Sequence, residues 1–148
     1  MVVSFLILFP LGLLFSEGFI IVEVIDVDRL LLTTGEEVEF LGIYIPPLSK
    51  KFKEEVIAEI RKLVGTGSLK LEFDSTPKAP SGKLSAYIYA DNIFANAELV
   101  RRGYAFLLPS FEKLKYGKYL VELENQAKAG KRGLWNEDYW MTEPCGCD

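Results

Sequence analysis

The change of hydrophobic period at Pro46-Pro47 constrains this chain more than any other feature. Before it, the runs Phe19 to Asp26, Leu30 to Thr33 and Val38 to Ile45 are rich in β-branched residues that alternate with polar ones. The turn Thr34-Gly35-Glu36 separates the second run from the third. Proline cannot donate to a ladder, so the third extended run has to stop at Pro46. After it, Phe52, Val56, Ile60 and Leu63 recur at helical spacing. Lys50 to Val64 therefore reads as an amphipathic helix, capped by Ser49 and stopped at Gly65.

The alternation then returns. Leu69, Leu71 and Phe73 mark a fourth strand, and Asp74 to Lys83, with Pro77, Pro80 and Gly82, reads as a loop. Leu84 to Ala90 is a fifth strand. Asn96 to Arg102 is expected to be a short helix with Asn96 near its cap and Gly103 at its end, and Tyr104 to Leu108 to be buried. Phe111, Leu114, Tyr119, Leu120, Leu123 and Ala127 mark a last helix ending at Gly130, followed by Leu134-Trp135 as a packing plug. Five strands with a helix between the third and fourth match the topology of a five-stranded OB-fold barrel. The predicted class is mainly β with α, the barrel carrying about three helices.

Size and composition bound the chemistry. A chain of 148 residues that is 49% hydrophobic supports one domain with a real core. A net charge of −4 provides no long-range attraction for nucleic acid, so any such contact would need a local basic patch. Histidine is absent, which excludes serine-histidine and zinc-histidine mechanisms and leaves carboxylates, Lys, Arg and Tyr. Residues 1–18 are expected to be a signal peptide or an N-terminal membrane anchor, because Met1 to Phe15 is almost wholly apolar and Ser16 and Gly18 offer a small-x-small cleavage site. No Lys or Arg precedes that run, and the competing reading is a buried strand pair at the start of the domain. Residues 19–140 form the domain and 141–148 a short tail. Its Cys145 and Cys147 are spaced poorly for pairing with each other; they suit a partner's cysteines or a disordered end.

Several segments together resemble the thermonuclease, or staphylococcal nuclease-like, family. They are Val24-Ile25-Asp26-Val27-Asp28-Arg29-Leu30, Leu41-Gly42-Ile43-Tyr44-Ile45-Pro46, Ala86-Tyr87-Ile88-Tyr89-Ala90-Asp91, Leu99-Val100-Arg101-Arg102-Gly103-Tyr104-Ala105 and Gly133-Leu134-Trp135, with Asn96 and the Glu122 to Ala127 stretch between them. The resemblance covers roughly Phe19 to Asp138. It implies a site in which aspartates hold calcium, a glutamate handles the attacking water and two arginines stabilise the phosphoryl oxygens.

Most of those charges are replaced. Aligned on Gly42-Ile43, the first arginine becomes Glu39, a calcium aspartate becomes Tyr44 and the glutamate becomes Pro47; a register one residue later does not restore them. The second arginine falls at Lys83, which keeps the charge and loses the bidentate fork. Asp26 and Asp28 survive as metal candidates, with Arg29 beside them as a competitor for the cation. Losing one preorganised donor costs about 10²–10³ in rate, and several are missing here. The expected function is thus a non-catalytic module, needing no cofactor, that binds a protein or single-stranded nucleic acid outside the cytoplasm or at the membrane. The alternative is a calcium-dependent nuclease with an altered site, built on Asp26, Asp28, Lys83 and a hairpin glutamate among Glu36, Glu37 and Glu39.

For nucleic acid, Lys50, Lys51, Lys53 and Lys83, with Arg61 and Lys62, are a candidate phosphate edge, against which stands a solvated helix face balanced by Glu54, Glu55 and Glu59. Phe111 is the candidate stacking residue, and Tyr87 and Tyr89 are expected to be aromatic core. A cation-sized gap ringed by oxygens near Asp28 would favour the enzyme. A plug of Tyr44 or Ile45 would disfavour it.

Overall fold

The structure is a computed structural model that describes residues 15–65, 68–74 and 77–137. The fold is a strand ring with helices on it. β1 (Phe15–Asp26) is long enough to serve two partners: residues 15–20 pair antiparallel with β5 (Ser68–Glu72), and residues 21–26 pair with β2 (Arg29–Leu32). β2 continues to β3 (Glu37–Phe40), and β5 continues to β6 (Leu84–Ala90). β3 and β6 then meet in parallel, Val38 opposite Leu84 and Phe40 opposite Ala86, which joins the ends of the series. This is the OB-type topology that the strand count and the position of the helix predict. A short β7 (Ile93–Phe94) adds to β6.

The period change at Pro46-Pro47 is realised as expected. α1 (Lys50–Val64) begins where Ser49 Oγ accepts from Phe52 N at 3.2 Å, and it ends where Gly65 N donates to Arg61 O at 3.0 Å. Phe52, Val56 and Ile60 are completely buried, on the face that the spacing picks out. Each such burial is worth about 1.5–3 kcal/mol of transfer free energy, so this stripe fixes α1 to the barrel. Leu30, Leu32, Val38, Leu71 and Ile88 supply the core from the strands.

Three expectations are corrected. The third strand is not continuous from Val38 to Ile45. It stops at Phe40, Gly42 adopts φ +81°, and Ile43–Tyr44 forms a separate β4 that pairs with β8 (Phe106–Leu107). Only glycine enters that turn cheaply, and a Cβ on Gly42 would lie 2.7 Å from Leu114 Cδ1. Asn96 is not the cap of α2 (Ala95–Arg101), whose flanking residue is Phe94. Asn96 is fully buried: its Oδ1 accepts from Ile88 N at 2.9 Å, and its Nδ2 donates to Leu41 O at 3.0 Å and Ala86 O at 3.4 Å. It thus holds the point at which the chain leaves β3.

The last helix also starts later than Phe111. Phe111–Lys113 is one 3₁₀ turn, and α3 runs over Gly117–Ala129. The intervening residues turn aside because two carboxylates at the end of β5 capture them. Lys115 N donates to Asp74 Oδ2 at 2.9 Å, and Tyr116 OH and Lys115 Nζ donate to the buried Glu72 at 3.0 and 2.5 Å. Burial along Tyr104 to Leu108 is graded: Ala105 is buried and Leu108 exposed. The Leu134 plug is confirmed. Leu134 is buried and its N donates to Gly103 O at 2.8 Å, in a contact so close that a Cβ on Gly103 would strike the Arg132 carbonyl.

Residues 15–18, the end of the expected leader, lie in β1 opposite β5. Its first 14 residues, and the tail at 141–148, lie outside the described residues. Among the described residues, no helix is long and apolar enough to cross a membrane.

Candidate functional site

The turn at Leu41–Gly42 opens one wall of a cleft of about 430 Å³, within the range of ligand pockets. Its apolar lining comes from β4 and the residue after it, Ile43 and Ile45, and from the segment that follows β8, Leu108 and Leu114. Asp28, Glu39, Asp74 and Lys78 give it charge. Alternation through β4 and the residue after it decides which side chain faces where: Ile43 and Ile45 are buried and Tyr44 is 49% exposed, yet all three line the cleft.

Asp28 and Glu39 are therefore brought together, as the nuclease-like frame implies, while Asp26 and Lys83 are not with them. Asp26 Oδ1 accepts from Val27 N at 2.8 Å and receives the Lys53 ammonium at 3.0 Å; Arg29 stands 3.7 Å from its Oδ2. Lys53, with help from Val27 N–H, holds the Asp26 carboxyl below the usual carboxylate range. Arg29 also lies 3.5 Å from Asp28 and 3.4 Å from Glu37, so one guanidinium serves three carboxylates. Glu39 accepts from Ser81 Oγ at 3.4 Å. Lys83 lines a second, shallower depression with Glu36, Glu37 and Lys78.

The basic edge is dispersed. Lys53 is turned to Asp26, Lys50 lies 3.8 Å from Glu54 and Lys62 lies 2.5 Å from Glu59, so of this lysine set these three face carboxylates of the chain; Lys51 is exposed on α1. Tyr87 and Tyr89 behave as core and partial core. Tyr87 is completely buried, edge-on to Phe94 and Tyr116, and its hydroxyl donates to Asp74 at 3.2 Å. Tyr89 stacks on Phe94 with centroids 4.7 Å apart. Burial raises both phenols above their ordinary pKa. Phe111 begins the 3₁₀ turn, half-buried.

Two charged cleft residues were not singled out from sequence. Asp74 has a usable signal, since it lies two residues after Glu72 and so on the same side of an extended chain. Lys78 has none: it reaches the cleft through an isolated bridge to Leu84 inside a segment that reads as loop.

Comparison with known proteins agrees with this geometry. The family described as "Staphylococcal nuclease homologue" matches residues 37–137, from β3 to beyond the Leu134 plug. A rice (Oryza sativa subsp. japonica) protein described as "Probable staphylococcal-like nuclease CAN2" is 25% identical over 108 residues, which are 73% of this chain and 28% of that protein. A second from the same plant, "Probable staphylococcal-like nuclease CAN3", is 26% identical over 108 residues, 73% of this chain and 27% of that protein. This chain thus spans little more than a quarter of the length of these relatives. On the match over residues 37–137, supported by the barrel topology, the chain belongs to the staphylococcal nuclease homologue family.

Proposed function

We propose that this domain is a non-catalytic member of its family, a binding module that acts through the cleft beside Gly42. The observation that carries the reading is the pairing of Asp26. The ammonium of Lys53 and the guanidinium of Arg29 stand against the carboxylate that the resemblance assigns to calcium. Calcium requires six to eight oxygen ligands. Two cations of the chain already compete for that carboxylate, which supports a reading without calcium. The arginine position in the cleft is taken by Glu39, whose charge repels a phosphodiester, and Lys83 opens to another depression. The apolar run at Met1 to Phe15 supports action outside the cytoplasm or at a membrane.

Asp28 and Glu39 sharing one cleft is the observation that favours the alternative, a calcium-dependent nuclease with a rearranged site. One experiment separates the two. Purified protein is incubated with single-stranded DNA and RNA and millimolar calcium from acid to alkaline pH. The binding reading requires no cleavage. Calcium-dependent turnover that Asp28→Asn abolishes would establish the nuclease instead.

A further inference from the structure

We infer that the cleft receives a polypeptide segment in which large apolar side chains flank a lysine or arginine. The inference rests on the non-catalytic reading and names its partner. Two independent features of the cleft carry it. The first is apolar surface. Of the four large hydrophobic residues exposed among the described residues, Tyr44, Ile93, Leu108 and Tyr119, two stand on this one cleft. Tyr44 comes from β4 and Leu108 from just beyond β8, with Ile45 and Leu114 deeper between them. Exposed apolar surface gathered at a concavity marks a contact site, whereas scattered residues do not.

The second feature is charge. The cleft carries three carboxylates, Asp28, Glu39 and Asp74, against one ammonium, Lys78. Arg29, the nearest guanidinium to Asp28, is divided among Asp26, Asp28 and Glu37, so it leaves the rim acidic. Asp74 is committed to Lys115 N and Tyr87 OH. Asp28, whose side chain is 59% exposed, and Glu39, whose contact with Ser81 is long at 3.4 Å, remain accessible to an incoming cation. A polynucleotide brings a phosphate at every step and would meet the wrong sign. An inorganic cation would leave Tyr44 and Leu108 uncovered. A basic, apolar polypeptide answers both features, with its aliphatic side chains over the ribbon and its cation between Asp28 and Glu39.

Fluorescence anisotropy with the whole protein tests this. The probes are a short labelled peptide alternating leucine and arginine, the same peptide with glutamate for arginine, one with serine for leucine, and labelled oligothymidylate. The leucine-arginine peptide is expected to bind at least about tenfold more tightly than the other three, and more weakly as salt is raised. Glu39→Lys and Leu108→Ser, each shown to be folded by circular dichroism, should each weaken it by about fivefold or more. Equal affinity for the arginine and glutamate peptides, preference for oligothymidylate, no binding at millimolar peptide, or indifference to both substitutions would overturn the proposal. Adding calcium to the oligothymidylate sample separates the two levels. Cleavage there would sink the non-catalytic reading, whereas an inert sample that also fails the peptide comparison sinks only the choice of partner.

Discussion

Removing the Asn96 side chain is the sharpest test of how this barrel is held together. Asn96 is 0% exposed and bridges three backbone groups: Ile88 N, Leu41 O and Ala86 O. Ala86 O keeps a second partner, because Leu41 N donates to it at 3.0 Å. Asn96→Ala therefore abandons one buried donor, Ile88 N, and one half-buried acceptor, Leu41 O. At about 1–3 kcal/mol for the buried group and about 0.5–1.5 kcal/mol for the half-buried one, the loss is about 1.5–4.5 kcal/mol. Equilibrium urea unfolding reads it directly. With a slope of about 2 kcal/mol per molar, a loss of 3 kcal/mol lowers the midpoint by about 1.5 M. Asn96→Asp sharpens the test, since its carboxylate can accept from Ile88 N yet opposes the carbonyls of Leu41 and Ala86. Those carbonyls favour the protonated acid, which raises its folded pKa above the ordinary value near 3.9. The stabilisation from the proton is then fully present below the unfolded pKa and lost as pH rises through the folded one. Relative to wild type, Asn96→Asp should recover stability on acidification while Asn96→Ala does not. An Asn96→Ala protein within 1 kcal/mol of wild type, or two variants with the same pH dependence, would refute this account.

Three further outcomes follow from contacts already described. Lys53→Met should raise the Asp26 pKa towards 3.8, because the ammonium is the largest cause of its depression. Wild-type Asp26 contributes stability above that value and loses it as pH falls through the lower folded pKa, so carboxyl NMR titration of both proteins measures the difference. Gly103→Ala should destabilise strongly, by more than about 2 kcal/mol, since φ is +79° and the added Cβ meets the Arg132 carbonyl; thermal unfolding would show it. Phe52→Ala should cost about 3–5 kcal/mol by emptying the α1 side of the core, whereas truncating the exposed Lys51 should leave the unfolding free energy from urea titration within about 0.5 kcal/mol of wild type.

The strands were legible where period alone decides them. Leu84 to Ala90 matches its strand residue for residue, and Ser49 caps α1 as its chemistry demands. The break at Gly42 was missed although the inward positions change phase across it, from Val38 and Phe40 to Ile43 and Ile45; the partner that captures Ile43–Tyr44, β8, lies more than sixty residues later and could not be read locally. Asn96 misled for a related reason. A buried bridging asparagine and a helix cap look alike until Leu41 O and Ile88 N are seen to converge on it. At the site, the replaced charges could be read from their order, and so could the Arg29–Asp28 neighbours. The grip of Lys53 on Asp26 could not, for it depends on how α1 docks against the β1–β2 corner.

The parallel seam between β3 and β6 also orders the history of each molecule. Residues 38–40 must wait for residues 84–86, and everything between them has to be synthesised and laid down before they can meet. Such distant matching is slow compared with the β2–β3 hairpin, whose strands adjoin in sequence. During that interval β3 offers an unoccupied border to any neighbouring copy, with Glu37 and Glu39 on it. Glu37 faces Arg29 within the hairpin, so the charge that disfavours pairing between copies is that of Glu39. Glu39, one of the carboxylates of the mature cleft, thus also lies on the edge that stays open while the cylinder is still a ribbon.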